Sequence, residues 1–375
     1  MVSNNQQKTL SKEDFQTIAY FAVGVSSESK SNAYKLVIAA NTKNGKLYPM
    51  GNSGYSIGTI QTDLGQHPEV VKDLVDAYQK WALGTKPEWK LSEKQEKDII
   101  HDLGRTGREI KKEDGRPLSA EFKDRFNQFF SSKDGITWVH TRDVKQINKI
   151  EKNIFTPLQE TELYKKLPFD DKIQLVAVTS KLYNQSERNG RTVLQEIKNG
   201  KFHSVNEVNN RIDSILKAKG KDDYIETGRK EAVLGAILIS QLNKMGKNNI
   251  LFDEWDSVKT NPLENPSKLE GDKKNSYDEI RKLFNDPEKS INKIKREEGK
   301  KVSTQVSRDD FSALIDNLIS DKDGSFTKQV IADNKNIVAA LDAKVQEKII
   351  QEQQNMAQEV QQKANEQSFG GRSLG

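Results

Sequence analysis

Cysteine is absent from the 375-residue chain, which removes disulfide cross-links, thiolate zinc sites and a cysteine nucleophile together. Long apolar runs are missing as well. No stretch approaches the roughly 20 apolar residues that cross a bilayer, and Met1 to Asp14 lacks the apolar core of a secretory signal. No membrane span is expected, and a chain of this kind made in the cytoplasm and working outside it relies on another carrier. Histidine is scarce: His67, His101, His140 and His203 are widely separated and show no metal-ligand spacing. No phosphate loop, dinucleotide fingerprint or serine-hydrolase elbow occurs, so neither metal nor cofactor is expected. One local absence is more informative. Between Glu28 and Asp63 lie thirty-four residues without a carboxylate, in a chain that is 31% charged.

What is present is polar. The hydrophobic fraction is 34% and the mean hydropathy −0.80, values that imply long solvated helices, a disordered portion, or both. The last hundred residues fit that description best. Sixty basic against fifty-five acidic residues give a formal charge of +5. This weak bias would suit an anionic polymer, but the basic residues are interleaved with acids and no aromatic platform recurs, so nucleic acid is not an expected partner.

Ser11-Lys12-Glu13-Asp14 starts a helix, and Phe15, Ile18, Ala22 and Val25 at helical spacing carry it from about 12 to 27, with Glu28 terminating it. Residues 34–41 and 46–50 read as strands around Asn44-Gly45, a tight-turn pair, and 55–60 as a third. The small-residue segment from Gly54 to Asp63 lets backbone and hydroxyl groups approach a ligand closely. Residues 69–83 form an amphipathic helix, and the chain to about Leu167 a helical lobe. Residues 169–183 make the most apolar helix, central and buried, and 232–242 a second buried one. The cluster Trp138-Val139-His140 with Asp143 reads as packing. Residues 251–300, with Pro262, Pro266 and Gly271 among lysines and aspartates, read as a polar linker or loosely packed segment, and 301–375 as a C-terminal helical, glutamine-rich module. Asp321-Lys322-Asp323-Gly324 reads as a turn rather than a calcium loop, since Ala332 stands where such a loop needs its glutamate.

The order of these motifs resembles the lysozyme-like superfamily of peptidoglycan glycosidases. A glutamate ending a helix, a hairpin and then Gly54-Tyr55-Ser56-Ile57-Gly58 resembles the phage-type muramidases. Ser56-Ile57-Gly58-Thr59-Ile60-Gln61-Thr62-Asp63 is similar to the goose-type lysozymes and lytic transglycosylases. The helix ending in Tyr183-Asn184-Gln185, followed by Gly190, Leu194, Ile197, Gly200 and Phe202, and then Thr227-Gly228-Arg229-Lys230-Glu231-Ala232, is similar to the phage-type C-terminal lobe. The likeness spans residues 10–245 or so and implies an α+β, mainly helical fold. Its first 250 residues would form a two-lobed domain with a small β-hairpin sheet.

The resemblance implies a muramidase that cuts the N-acetylmuramic acid to N-acetylglucosamine linkage of bacterial peptidoglycan. Such cleavage needs an acid to protonate the leaving oxygen and a means of stabilising positive charge on the sugar. Glu28 is the candidate acid, desolvated against Phe21 and Val25. The phage-type second carboxylate is missing from the hairpin, so either Asp63 holds the attacking water, the hydrolytic route preferred because Asp63 is available, or Glu28 acts alone as in a transglycosylase and an anhydro product forms. Ser56 would orient water or substrate, Gln61 would bind an acetamido group or brace Glu28, and Tyr55, Tyr183 and Asn184 would line the cleft. For Ser56 and Gln61 an ordinary sheet hydrogen bond, for Tyr55 a core position and for Asn184 a helix cap are the competing readings. A non-catalytic glycan-binding assembly protein is the alternative from another class. With an added C-terminal module, the architecture suggests an antibacterial effector or a phage-derived lysin acting in the periplasm or cell wall of a target bacterium. An immunity protein and a secretion-apparatus component are the expected partners.

Overall fold

A computed structural model describes residues 9–217, 223–247, 249 and 251–304. The expected module at 301–375 and the Asp321 turn therefore lie outside the described residues, apart from the end of one helix. Residues up to Lys295 form one compact unit. The fold is mainly helical with small antiparallel sheets.

Helix α1 (Lys12–Thr17) starts as the sequence indicates, with the Ser11 hydroxyl accepting from the Asp14 amide and the Asp14 carboxylate accepting from the Ser11 amide. The expected single α-helix does not continue to residue 27. At Ile18 the chain widens into a π-helix, Ile18–Ser29, whose residues from Ile18 to Ser26 are all buried. Regular π-structure is rare beyond one turn and is associated with functional sites. Close neighbours accompany it here: a Cβ on Gly24 would sit 2.7 Å from Thr59 Cγ2, and one on Gly235 would sit 2.7 Å from Ala22 Cα.

Strands β2 (Ala40–Lys43) and β3 (Lys46–Pro49) form a hairpin at the expected Asn44-Gly45 turn, but the single strand expected over 34–41 is split, its residues Val37 and Ile38 pairing in a different sheet. Asn44 and Gly45 both take positive φ, as the type I′ turn requires. Separately, β1 (Val37–Ile38), β4 (Tyr55–Ile57) and β5 (Thr62–Asp63) form a three-stranded antiparallel sheet in the order β1-β4-β5. The third strand is shorter than expected because Gly58, at φ 98°, turns the chain out of the ladder.

Helices α2 (Pro68–Thr85), α3 (Glu93–Gly104), α4 (Gly107–Lys112) and α5 (Ala120–Ser131) close one hydrophobic core with the sheet. Helix α6 (Lys133–Ile150) gives Val139 to that core, and Ile147 and Ile150 to a second. The second core gathers the π-helix, α7 (Thr156–Gln159), α8 (Glu162–Lys166), α9 (Phe169–Gln185), α10 (Glu187–Lys198), α11 (Val205–Lys217) and α12 (Asp223–Lys244). As expected, α9 is the most enclosed, with every residue from Ile173 to Tyr183 except Gln174 buried.

Residues 251–295 are not a linker. Helices α13 (Phe252–Thr260), α14 (Gly271–Asn285) and α15 (Pro287–Thr304) put Trp255, Tyr277, Ile280, Phe284, Ile291 and Ile294 into the second core. The lysines and aspartates that suggested a loose segment occupy the outer face of helices whose apolar stripe is narrow.

Candidate active site

Glu28 stands in the last turn of the π-helix with 11% of its side chain exposed. Apolar contacts are not what meets its carboxylate. Lys181 Nζ, from the middle of α9, lies 2.7 Å from Oε1, and that lysine side chain is 2% exposed. Asn184 Nδ2, three residues further along the same helix face, donates to the same oxygen at 2.8 Å. Glu28 thus sits in a buried ion pair, and the expected setting of a carboxyl desolvated against Phe21 and Val25 is corrected: an ammonium and an amide meet it. Helix α12 covers the lysine at Gly228, where a Cβ would stand 3.1 Å from Nζ.

From Asn184 the bonds continue to the sheet. Asn184 Nδ2 also donates to Ile60 O at 3.0 Å, Gln146 Nε2 donates to Asn184 Oδ1 at 2.6 Å, and Thr62 Oγ1 donates to Gln146 Oε1 at 2.7 Å. The carboxylate is therefore tied to α9, α6 and β5 at once.

Asp63 is not part of this cluster. Adjacent strand residues point to opposite faces, and it is Thr62 that points toward Gln146. Asp63 Oδ1 accepts instead from the backbone amides of Gly54, Gly65 and Gln66 at 3.1, 2.9 and 3.3 Å. Burial raises the Asp63 carboxyl above its ordinary range, against the lowering effect of those amides. Its cross-strand partner is Ser56, which puts Ser56 on the face of Asp63 rather than that of Thr62. Gln61, at φ 58°, spends its amide on the Gly58 carbonyl at 2.8 Å. Tyr55 is buried and accepts from the Leu118 amide at 2.8 Å. Tyr183 is buried as well, packed beneath Gly190, where a Cβ would meet it at 2.6 Å. Of the seven expected site residues the structure brings together Glu28 and Asn184; Tyr55 and Tyr183 are core residues, and Ser56, Gln61 and Asp63 serve the sheet and its turns.

Sequence reasoning missed Lys181, Gln146 and Thr62. A signal existed for Lys181, a lone cation in the apolar run Leu175 to Leu182. It also set Asp143 aside. That carboxylate is 1% exposed and accepts from the amides of Thr59 at 2.9 Å and Ile60 at 3.3 Å, so it clamps the turn whose carbonyl Asn184 holds. Burial pushes Asp143 up to about 6, with the two amides opposing. Gly58 lies against it: a Cβ there would come within 2.5 Å of Oδ1.

Beneath the turn, Thr59 Oγ1 lies 3.4 Å from Tyr20 OH, which in turn lies 2.5 Å from Tyr277 OH. Arg281 of α14 donates to both phenols at 3.2 Å and to the Lys30 carbonyl, just past Glu28, at 3.3 Å. Elsewhere, His101, Asp102 and Glu113 lie close enough to hold a cation. Arg105 and Arg116 already neutralise that group: Arg116 reaches both Asp102 oxygens, and Arg105 Nη1 reaches Glu113 at 2.9 Å. A small cavity lined by Thr17, Ile18, Ile173, Ile239 and Trp255 lies toward the start of the π-helix and does not include Glu28. Comparison with family models, with curated proteins and with solved structures finds no match to this chain.

Proposed function

We propose that this chain cleaves the glycan strands of bacterial peptidoglycan, with Glu28 as the acid. The observation that carries the reading is the pair of donors, Lys181 and Asn184, on one oxygen of an otherwise isolated glutamate. With Oε1 held as an acceptor, Oε2 is the oxygen that takes up a proton and, once protonated, passes it to the bridging oxygen of the sugar. As the glycosidic C–O bond breaks, the carboxylate left behind is matched by the Lys181 ammonium.

Among the described residues no second carboxylate joins Glu28 in this hydrogen-bonded cluster, and Asp63 is committed to backbone amides on the opposite strand face. That favours the single-carboxylate route over the one in which Asp63 holds water. The 6-hydroxyl of the muramic acid attacks its own anomeric carbon, its proton passes to Glu28, and an anhydro end forms without water. In the hydrolytic version a water attacks instead and gives Glu28 the same proton. The binding-only alternative is favoured by the low exposure of Glu28, which a purely structural ion pair would also show.

Purified sacculi incubated with wild type and Glu28→Gln, followed by mass spectrometry of the soluble muropeptides, test the assignment. Wild type is expected to release them and the variant to lose at least about 100-fold in rate. Equal release eliminates the acid role, and glycan binding without release selects the binding protein. Anhydro ends support the single-carboxylate route, and reducing ends the hydrolytic one. Because Glu28→Gln leaves Lys181 a buried unpaired charge, Glu28→Gln/Lys181→Met serves as the folded inactive control. As an antibacterial effector the chain would have an immunity protein encoded beside it; a phage-derived lysin would not.

A further inference from the structure

We infer that Gln146 is a positioning residue: together with the Ile60 carbonyl it holds the Asn184 amide in the one orientation that keeps Oε1 of Glu28 occupied and leaves Oε2 free to react; the inference rests on the glycan-cleaving reading of the site. The argument begins at a backbone carbonyl. Ile60 O can only accept, and the Asn184 amide lies 3.0 Å from it, so the atom presented there is Nδ2. The second hydrogen of that Nδ2 goes to Glu28 Oε1 at 2.8 Å, which uses both amide hydrogens. Asn184 Oδ1 must then face Gln146, and at 2.6 Å only Gln146 Nε2 satisfies it. Gln146 Oε1 is left facing Thr62, whose hydroxyl donates at 2.7 Å.

Every bond therefore runs one way, from Thr62 to Glu28, and no amide in the chain can turn over alone. The direction does not depend on how either amide is assigned, because the Ile60 carbonyl sets it. Helix α6 supplies both controls. Its Asp143 takes the Ile60 amide at 3.3 Å and so places that carbonyl, and its Gln146 takes up the far end of Asn184. With Lys181 as the second donor to Oε1, the oxygen left for substrate is Oε2.

Two replacements in the full-length chain separate direction from packing. In Gln146→Leu the Asn184 oxygen loses its donor, but Ile60 and Glu28 still require Nδ2, so the direction stays. In Gln146→Glu both oxygens at position 146 accept, yet Ile60 and Glu28 still require Nδ2, so position 146 has to take up a proton to donate to Asn184 Oδ1 and complete the relay. The probe is the Asn184 side-chain amide in a selectively 15N-labelled protein, followed by NMR through a pH titration, with the glutamate carboxyls labelled with 13C. The Glu28 carboxyl signal is assigned by its loss in Glu28→Gln, and circular dichroism verifies that each variant is folded.

In wild type and Gln146→Leu the amide resonance is expected to shift in step with the Glu28 carboxyl. In Gln146→Glu it is expected to report the proton at position 146 in addition to the Glu28 carboxyl. An amide that fails to follow Glu28 in wild type or in Gln146→Leu overturns the inference, as does one indifferent to the proton at position 146 in Gln146→Glu. The spectroscopic result stands whether or not sacculi are cut, so losing the glycan-cleaving reading and losing the directional relay are separate outcomes.

Discussion

Lys181 brings an ammonium group into a helix whose neighbouring residues, Val176, Ala177, Val178 and Leu182, are all buried. A charge in that position is tolerated only while it has a partner, and its partner is Glu28 at 2.7 Å. Removing one member strands the other. Lys181→Met should therefore cost about 3–5 kcal/mol at neutral pH, measured by urea denaturation. The double replacement Glu28→Gln/Lys181→Met should be more stable than the sum of the two single losses implies, and a double-mutant cycle with no coupling would show that the pair is not an interacting unit. Gly228→Ala tests the same contact from outside. Its new Cβ would lie 3.1 Å from Nζ and 3.2 Å from Cε of Lys181, so the ammonium must shift by a few tenths of an ångström. Loss of sacculus cleavage with a near-normal melting temperature is the expected result. At this scale the sequence revealed Glu28 because acids are absent around it. Asp63 was misplaced because a motif gives spacing along the chain and not the strand face, and a shift of one residue from Thr62 reverses the face.

The turn from Gly58 to Thr62 connects elements that the sequence shows only as separate segments. The helices and the hairpin were legible from periodicity and from Asn44-Gly45, but the turn is fixed by Asp143, 84 residues from Thr59 in sequence. Nothing local marks that pairing. Its consequence can be measured, because burial raises the Asp143 carboxyl to about 6 from an ordinary value of 3.8. Between those two values the folded chain holds a proton that the unfolded chain has released. Stability from this group is therefore greatest below about pH 4, falls as pH rises through about 6 and stays lower at neutral pH. The expected difference is on the order of 1–3 kcal/mol. Asp143→Asn should be less stable than wild type at pH 5, since an amide cannot accept from two backbone N–H groups with both its ends. It should also lose the wild-type change between pH 5 and 7.5. Urea midpoints at the two pH values decide this, and equal pH dependence in the two proteins would remove Asp143 as its source.

Across the whole unit, the feature least legible in the sequence is that α13 to α15 return to the helix bearing Glu28. Composition suggested a linker there, yet Tyr277, Ile280 and Phe284 follow helical spacing, and the ring of Phe284 lies 5.0 Å from that of Phe21 in the π-helix. Lysines and aspartates on the outer face lowered the average hydropathy and concealed the stripe. Arg281 then reaches the Lys30 carbonyl beyond Glu28, so this return fixes the end of the helix that carries the candidate acid. Burying Trp255, Tyr277, Ile280 and Phe284 contributes on the order of 10 kcal/mol together, comparable with the 5–15 kcal/mol that stabilise a typical domain. A chain ending at residue 250 should therefore fail to fold cooperatively. One ending at residue 304 keeps every buried contact described and should fold cooperatively. It should also release muropeptides from sacculi. Differential scanning calorimetry of the two truncations, beside sacculus digestion, tests this bracing directly. A cooperative and active 1–250 fragment would show that the site holds its geometry without α14.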